Sequence, residues 1–164
     1  MILRLFLSAL LLITASYAQA QDEPCLQTHA AQDKKFHPGQ VWAYNTRPGE
    51  PDSTITILKV ETGQKIGEII HVRIDNIRLR NCTGGPEPKV LEHAPFTREA
   101  IEKSVTKLLK DDGVVPDFQD GYDQWKKACG GVYTLTVAEA VQVDETTFQH
   151  GLGCSDEQAA GSSH

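Results

Sequence analysis

The stretch Ile70 to Arg80 carries the chain's most promising chemistry, because His71, Arg73 and Asp75 alternate with Ile70, Val72 and Ile74, and Arg78 and Arg80 follow. Side chains two residues apart on a strand share a face. That spacing sets an imidazole, a carboxylate and the planar forks of Arg side by side, a set able to grip a carboxylate or an acidic loop of a partner. The plainer expectation for such a row is a solvated strand face laced by cross-strand ion pairs. A second concentration is TRPGEPDST, residues 46 to 54, where Pro48, Gly49 and Pro51 have turn chemistry and Arg47, Glu50, Asp52 and Ser53 are surplus to it. The expected binding surface is therefore Arg47, Glu50, Asp52, His71, Arg73, Asp75, Arg78 and Arg80.

Two other groups are weaker. His29, Asp33 and His37 would line up as metal ligands on a helix, but Pro38 and the polar surroundings oppose a helix there, and no metal site is expected. His93 stands beside Glu92, and as a general base it would have only Thr97 or Ser104 nearby in sequence to activate. No nucleophile elbow, zinc-protease motif or Gly-rich phosphate loop occurs, so no catalytic residue and no cofactor are assigned. Trp42, Tyr44, Phe118, Tyr122 and Trp125 fit a core better than a pocket lining.

Several elements have to position these groups. Val41–Tyr44 and residues 54 to 60 have the β-branched and aromatic content of strands, and the run 66 to 80 is a third, with a bulge or bend where its alternation slips after Asp75 and Asn76. Thr97 is a suitable N-cap for a helix over 98–110, with Phe96 stapled onto Ile101 and an apolar stripe through Val105 and Leu108. A second helix follows Pro116 with Phe118, Tyr122 and Trp125 on one face and stops at Gly130 and Gly131. Residues 132 to 138, VYTLTVA, are expected to form the last strand. The fold class is α+β: a mainly antiparallel sheet of about four strands against two helices.

Residues 1 to 20 combine Arg4, a Leu- and Ile-rich core and Ala18-Gln19-Ala20, the pattern of a cleavable signal peptide. A polar arm over 21–38, a single domain over 39–154 and a disordered tail over 155–164 complete the organisation. Lys and Arg number 16 against 22 Asp and Glu, for a net charge of −6, which argues against nucleic acid and anionic membranes as partners. Export and an even count lead us to expect Cys25, Cys82, Cys129 and Cys154 to be paired as disulfides. Three pairings are possible, and Cys82 with Cys129 plus Cys25 with Cys154 is the one favoured.

The blocks KFHPGQVWAYNTRPGEPDSTITILKVE, IGEIIHVRIDNIRLRN, HAPFTREAIEKSVTKL and PDFQDGYDQWKKA resemble those of a group of small bacterial proteins without an assigned activity. The resemblance spans residues 35 to about 140 and implies a bacterial source, which would make the location periplasmic or secreted. It implies no cofactor and no catalytic residue, and the cysteines and leader fall outside its blocks. The expected function is thus an exported, non-enzymatic binding protein for a protein partner or small ligand, for instance an inhibitor or immunity-type protein acting on a secreted toxin or hydrolase. The alternatives are a small hydrolase using His71 or His93 with Asp75 or Glu92, and a structural component of the cell envelope.

Overall fold

The computed structural model describes residues 27–155, so the expected signal peptide, Cys25 and all but the first residue of the expected tail lie outside the described residues. The elements are β1 (Thr28–Ala30), β2 (Val41–Tyr44), β3 (Thr54–Gly63), β4 (Gly67–Asp75), β5 (Val90–Thr97), α1 (Arg98–Ser104), β6 (Val105–Lys110), α2 (Gln119–Lys127) and α3 (Val137–Gly151). Among the described residues this is an α+β fold of six strands and three helices, two strands and one helix more than expected.

The strands form one antiparallel sheet in the order β5-β4-β3-β2-β6. β3 is long enough for one of its edges to be shared, β2 pairing with its first half and β1 with its second. β1 and the buried Phe36 belong to the segment expected as a loose arm, so the domain starts before residue 39. Asp33 makes the turn between them by accepting from the amides of Lys35 and Phe36.

One face of the sheet carries the main core, in which Ile55, Ile57, Val60, Ile70, Val72 and Ile74 pack against Ala100 and Ile101 of α1 and Val137, Ala140 and Val141 of α3. The other face is covered at one end by α2, where Tyr122 and Trp125 pack with Ile69. A bulge in β3 decides which residues reach which face: the register slips between Ile57 opposite Val72 and Lys59 opposite His71. Leu58 is the extra residue, and beyond it Val60 takes the core side while Lys59 and Glu61 turn toward α2. A bulge re-aims side chains in this way because the strand period is two.

The expected helix over 98–110 is half right. Thr97 does cap α1, accepting from the Ala100 amide at 3.3 Å, but Val105 turns extended and residues 105–110 become β6 on the free edge of β2. An open strand edge needs partners for its amides and carbonyls, and that demand outweighs the modest helix preference of VTKLLK. The expected strand over 132–138 is also corrected: Tyr133 makes a single bridge to Phe96, and α3 begins at Val137. Thr136 and Glu139 form a capping box there, and Ser104 at the end of α1 accepts from the Val137 amide at 2.9 Å. The slip after Asp75 is a bend rather than a bulge. Asn76 takes a left-handed conformation (φ 57°), and Ile77 and Leu79 then bond to the carbonyls of Lys89 and Pro88.

Cys82 is bonded to Cys154, which overturns the favoured pairing of Cys82 with Cys129 and of Cys25 with Cys154. Cys129 is disulfide-bonded as well. The Cys82–Cys154 link staples the end of α3 to the loop after Leu79 and spans 72 residues of sequence. On a chain-entropy account a loop of that length contributes about 4 kcal/mol. Replacing Cys82 and Cys154 together by Ser should lower the unfolding free energy by roughly 2–4 kcal/mol in urea denaturation, with the far-ultraviolet dichroism of the folded state retained.

Candidate functional site

Most of the residues expected to form a binding surface are held in bonds within the protein. Arg47 grips Glu50 with two nitrogens, at 3.0 and 2.5 Å, and reaches Glu145 of α3 at 2.7 Å. The side chains of Arg47, Glu50 and Glu145 are only 11, 6 and 2% exposed. Arg80 adds its amide and its Nε to Glu145, at 2.9 and 2.8 Å, and the Arg78 amide donates to Glu50 at 2.7 Å. TRPGEPDST is therefore a clasp of two successive turns, with Glu50 N on Arg47 O and Ser53 N on Glu50 O, and Gly49 supplies the positive φ of 85°. Ser53 is buried, donating to the Asp75 carbonyl and bonded to the Tyr44 hydroxyl. Asp52 stays exposed, contributing only its carbonyl to Asn76. Arg73 pairs with Asp75, and the Arg78 side chain with Glu87 near the surface.

His71 departs furthest from expectation. It does not lie on an outward face: it is fully buried, because α2 closes over this end of β4. Its Nε2 lies 3.2 Å from Glu61 Oε2 and its Nδ1 lies 2.9 Å from His93 Nε2. Glu61 is satisfied on its other oxygen by the Tyr122 hydroxyl at 2.8 Å and by Lys59 at 2.6 Å, while Lys59 sits over the Tyr122 ring. Trp125 and Tyr122 wall the His71 ring edge-on, and Phe118 lies parallel to the His93 ring. His93 reaches this group because it lies two residues from Pro95, which opposes His71, and so shares its face. Beyond it β5 is irregular, since Ala94 opposes Val72 and Leu91 opposes Ile74, which leaves Glu92 and His93 across from Arg73 alone. α2 can approach because residue 121 is glycine, since a Cβ there would stand 2.8 Å from the His93 Cβ.

The electrostatics follow from burial. Removal from water, reinforced by His93, holds His71 down at about 4, so it is neutral at physiological pH. Burial also lowers His93, partly offset by Glu61. Burial alone would raise Glu61, but Lys59, Tyr122 and His71 outweigh it and keep the carboxylate below its ordinary range. The His71 contact with Glu61 is thus a hydrogen bond to an anion rather than an ion pair.

His93 is also one wall of a cleft of about 470 Å³ beside the β5 edge, which Trp125, Pro95, Val132, Tyr133 and Asp144 help to line. In the same lining Tyr133 donates to Asp144 of α3. Burial raises Asp144 above the usual carboxylate range, and burial together with that carboxylate raises the Tyr133 hydroxyl. Among the described residues lining this cleft there is no Ser, Thr or Cys.

Of the residues named for a hydrolase, His71 and His93 come together, but the carboxylate beside them is Glu61, while Asp75 pairs with Arg73 and Glu92 is exposed. Thr97 caps α1 and Ser104 bonds backbone, so neither serves His93. His29 sits in β1 rather than on a helix, Asp33 binds Arg98, and His37 pairs with Asp111. Sequence reasoning missed Glu61, Lys59, Tyr133 and Asp144. Glu61 and His71 are neighbours only through the hairpin and its bulge, so no local motif announces them. No protein-family model matches this chain, and no curated protein or solved structure does so either.

Two stability effects should follow. Arg47→Ala would leave Glu50 and Glu145 buried and short of donors, and should cost about 3 kcal/mol, a loss of roughly 10 °C in Tm by calorimetry. His71 has a folded pKa well below the ordinary histidine value of about 6.5, so the unfolded chain binds the proton first. Stability should be complete above pH 6.5 and fall by roughly 3 kcal/mol as the pH drops toward 4, with Glu61 extending the loss lower still; denaturant midpoints across this range measure it.

Proposed function

We propose that this chain is an exported, disulfide-stapled binding protein whose ligand is a small, flat molecule held in the cleft beside β5. The observation that carries the reading is the union of an apolar lining, in Pro95, Trp125 and Val132, with a few polar groups in the same cleft, His93 and the Tyr133–Asp144 pair. Concave sites with few, well-placed polar groups are the usual form of small-ligand pockets. The Cys82–Cys154 bond suits an oxidising compartment, and no helix among the described residues is long and apolar enough to cross a membrane.

A protein partner of the inhibitor or immunity type has less support. The charged groups that would meet it, Arg47, Glu50 and Arg80, are spent on internal bonds. A hydrolase with a hydroxyl or thiol nucleophile of the Ser, Thr or Cys type has less support too, because none is among the described residues lining the cleft.

Ligand-observed magnetic resonance with planar heteroaromatic fragments such as indole and benzimidazole tests the proposal. Binders should shift the Trp125, Val132 and His93 signals. Gly131 lines the cleft and has open space where a side chain would begin, so Gly131→Trp should abolish those shifts while Tm stays within about 2 °C of the parent. Fragments that bind the variant as well as the parent would sink the proposal.

A further inference from the structure

We propose that the cleft takes a proton from its ligand, with His93 Nδ1 as the accepting atom and with Glu61 and His71 as positioning residues that keep that atom bare. This rests on the small-ligand reading above and adds a reaction to it.

The argument is one of hydrogen-bond direction. A carboxylate only accepts, so Glu61 Oε2 requires the proton of His71 on Nε2. A neutral imidazole carries one N–H, which leaves His71 Nδ1 with a lone pair, and that lone pair can bond His93 Nε2 only if His93 donates. The proton of neutral His93 is thereby fixed on Nε2, and Nδ1 is left as the basic nitrogen. Every buried side-chain nitrogen and oxygen among the described residues has a partner, and Nδ1 has none among them, so it is not sealed from solvent, and His93 lines the cleft. The arrangement parallels the way an acid behind a catalytic histidine selects its tautomer, with a second imidazole inserted between the two.

The surroundings agree. From β3 come Glu61 and Lys59, from β4 His71, from α2 Tyr122, and from the same cleft lining Tyr133 and Asp144. Lys59 is occupied by Glu61, so an imidazolium formed at His93 faces an anion two bonds away through His71. The lowered pKa of His93 keeps it in the accepting form at neutral pH. The ligand class this selects is a flat, largely apolar molecule with a weakly acidic C–H directed at the His93 wall. The cleft needs no nucleophile for that step.

5-Nitrobenzisoxazole, a flat probe of this class, tests it. Transfer of its ring C–H proton to His93 Nδ1 turns the C–H electron pair into the third bond of a nitrile. The N–O bond breaks, its electrons leave on the phenolate oxygen, and the imidazolium returns the proton to solvent. The phenolate absorbance should report elimination above the rate in buffer, with a rate that rises with pH through the His93 titration and then levels. His93→Gln should lower it about a hundredfold, within the range of a positioned general base.

Glu61→Gln separates position from shape. Its carbonyl has to face the two donors Lys59 and Tyr122, so its amide faces His71 Nε2 and donates. That reverses the chain and puts a proton on His93 Nδ1, so elimination should fall at least tenfold with His93 still present. Nitrogen-15 spectra of the imidazoles should show His93 protonated on Nε2 in the parent and on Nδ1 in the variant. A parent spectrum with the proton on Nδ1 overturns the inference, whether or not either variant folds. Probe-induced shifts at Trp125 with no elimination above the His93→Gln level overturn it too, and leave the binding reading standing. Neither shifts nor elimination overturns both.

Discussion

A carboxylate taken out of water has to find a donor for each oxygen, and this requirement at Glu145 and Glu61 organises the rest of the fold. Glu145 sits on α3 with almost no exposure and draws Arg47 and Arg80 inward from two different connections. Arg47 in turn brings Glu50, and Glu50 captures the amide of Arg78. One buried charge thus locks α3, the β2–β3 connection and the segment after β4 into a single arrangement. The Cys82–Cys154 bond fastens the same junction covalently, next to the bond from Gln149 to the Arg80 carbonyl.

Glu61 does the same on the opposite face, with a different outcome. Its donors come from β3, β4 and α2, so the network fixes how α2 lies on the sheet. At Glu145 the donors are Arg side chains, whose charge state cannot change under ordinary conditions. At Glu61 two histidines are interposed between the anion and a cleft, and both are held neutral by burial. One network is inert and closes a joint; the other is titratable and ends at a surface a ligand can reach. That contrast is the reason the ligand site is proposed at the β5 edge.

Much of the fold was legible where local signals and tertiary demands agree. β2, β3 and the body of β4 follow from β-branched and aromatic runs, α2 from the spacing of Phe118, Tyr122 and Trp125, and the start of α1 from Thr97. The errors fall where a neighbour overrules a local preference. VTKLLK extends because β2 has an edge to fill, and VYTLTVA breaks because Thr136 and Glu139 cap a helix that packs on the sheet. That capping box was visible in the sequence and is the one missed signal that was local. β5 was missed because LEHAPF shows no clean alternation, a consequence of the irregularity that sets both Glu92 and His93 across from Arg73.

The sequence by itself determined the α+β class, the antiparallel hairpins and the presence of His71, His93 and a dense set of ion-pairing groups, since composition and short periodicities carry that information. Tertiary structure alone decided what those groups do. Whether His71 is a surface imidazole or a buried bridge depends on α2 covering one end of β4. Whether Glu61 meets it depends on a single extra residue, Leu58, that changes the face to which β3 turns its side chains. And whether TRPGEPDST is a site or a clasp depends on Glu145, nearly a hundred residues along the chain, whose burial no local pattern encodes.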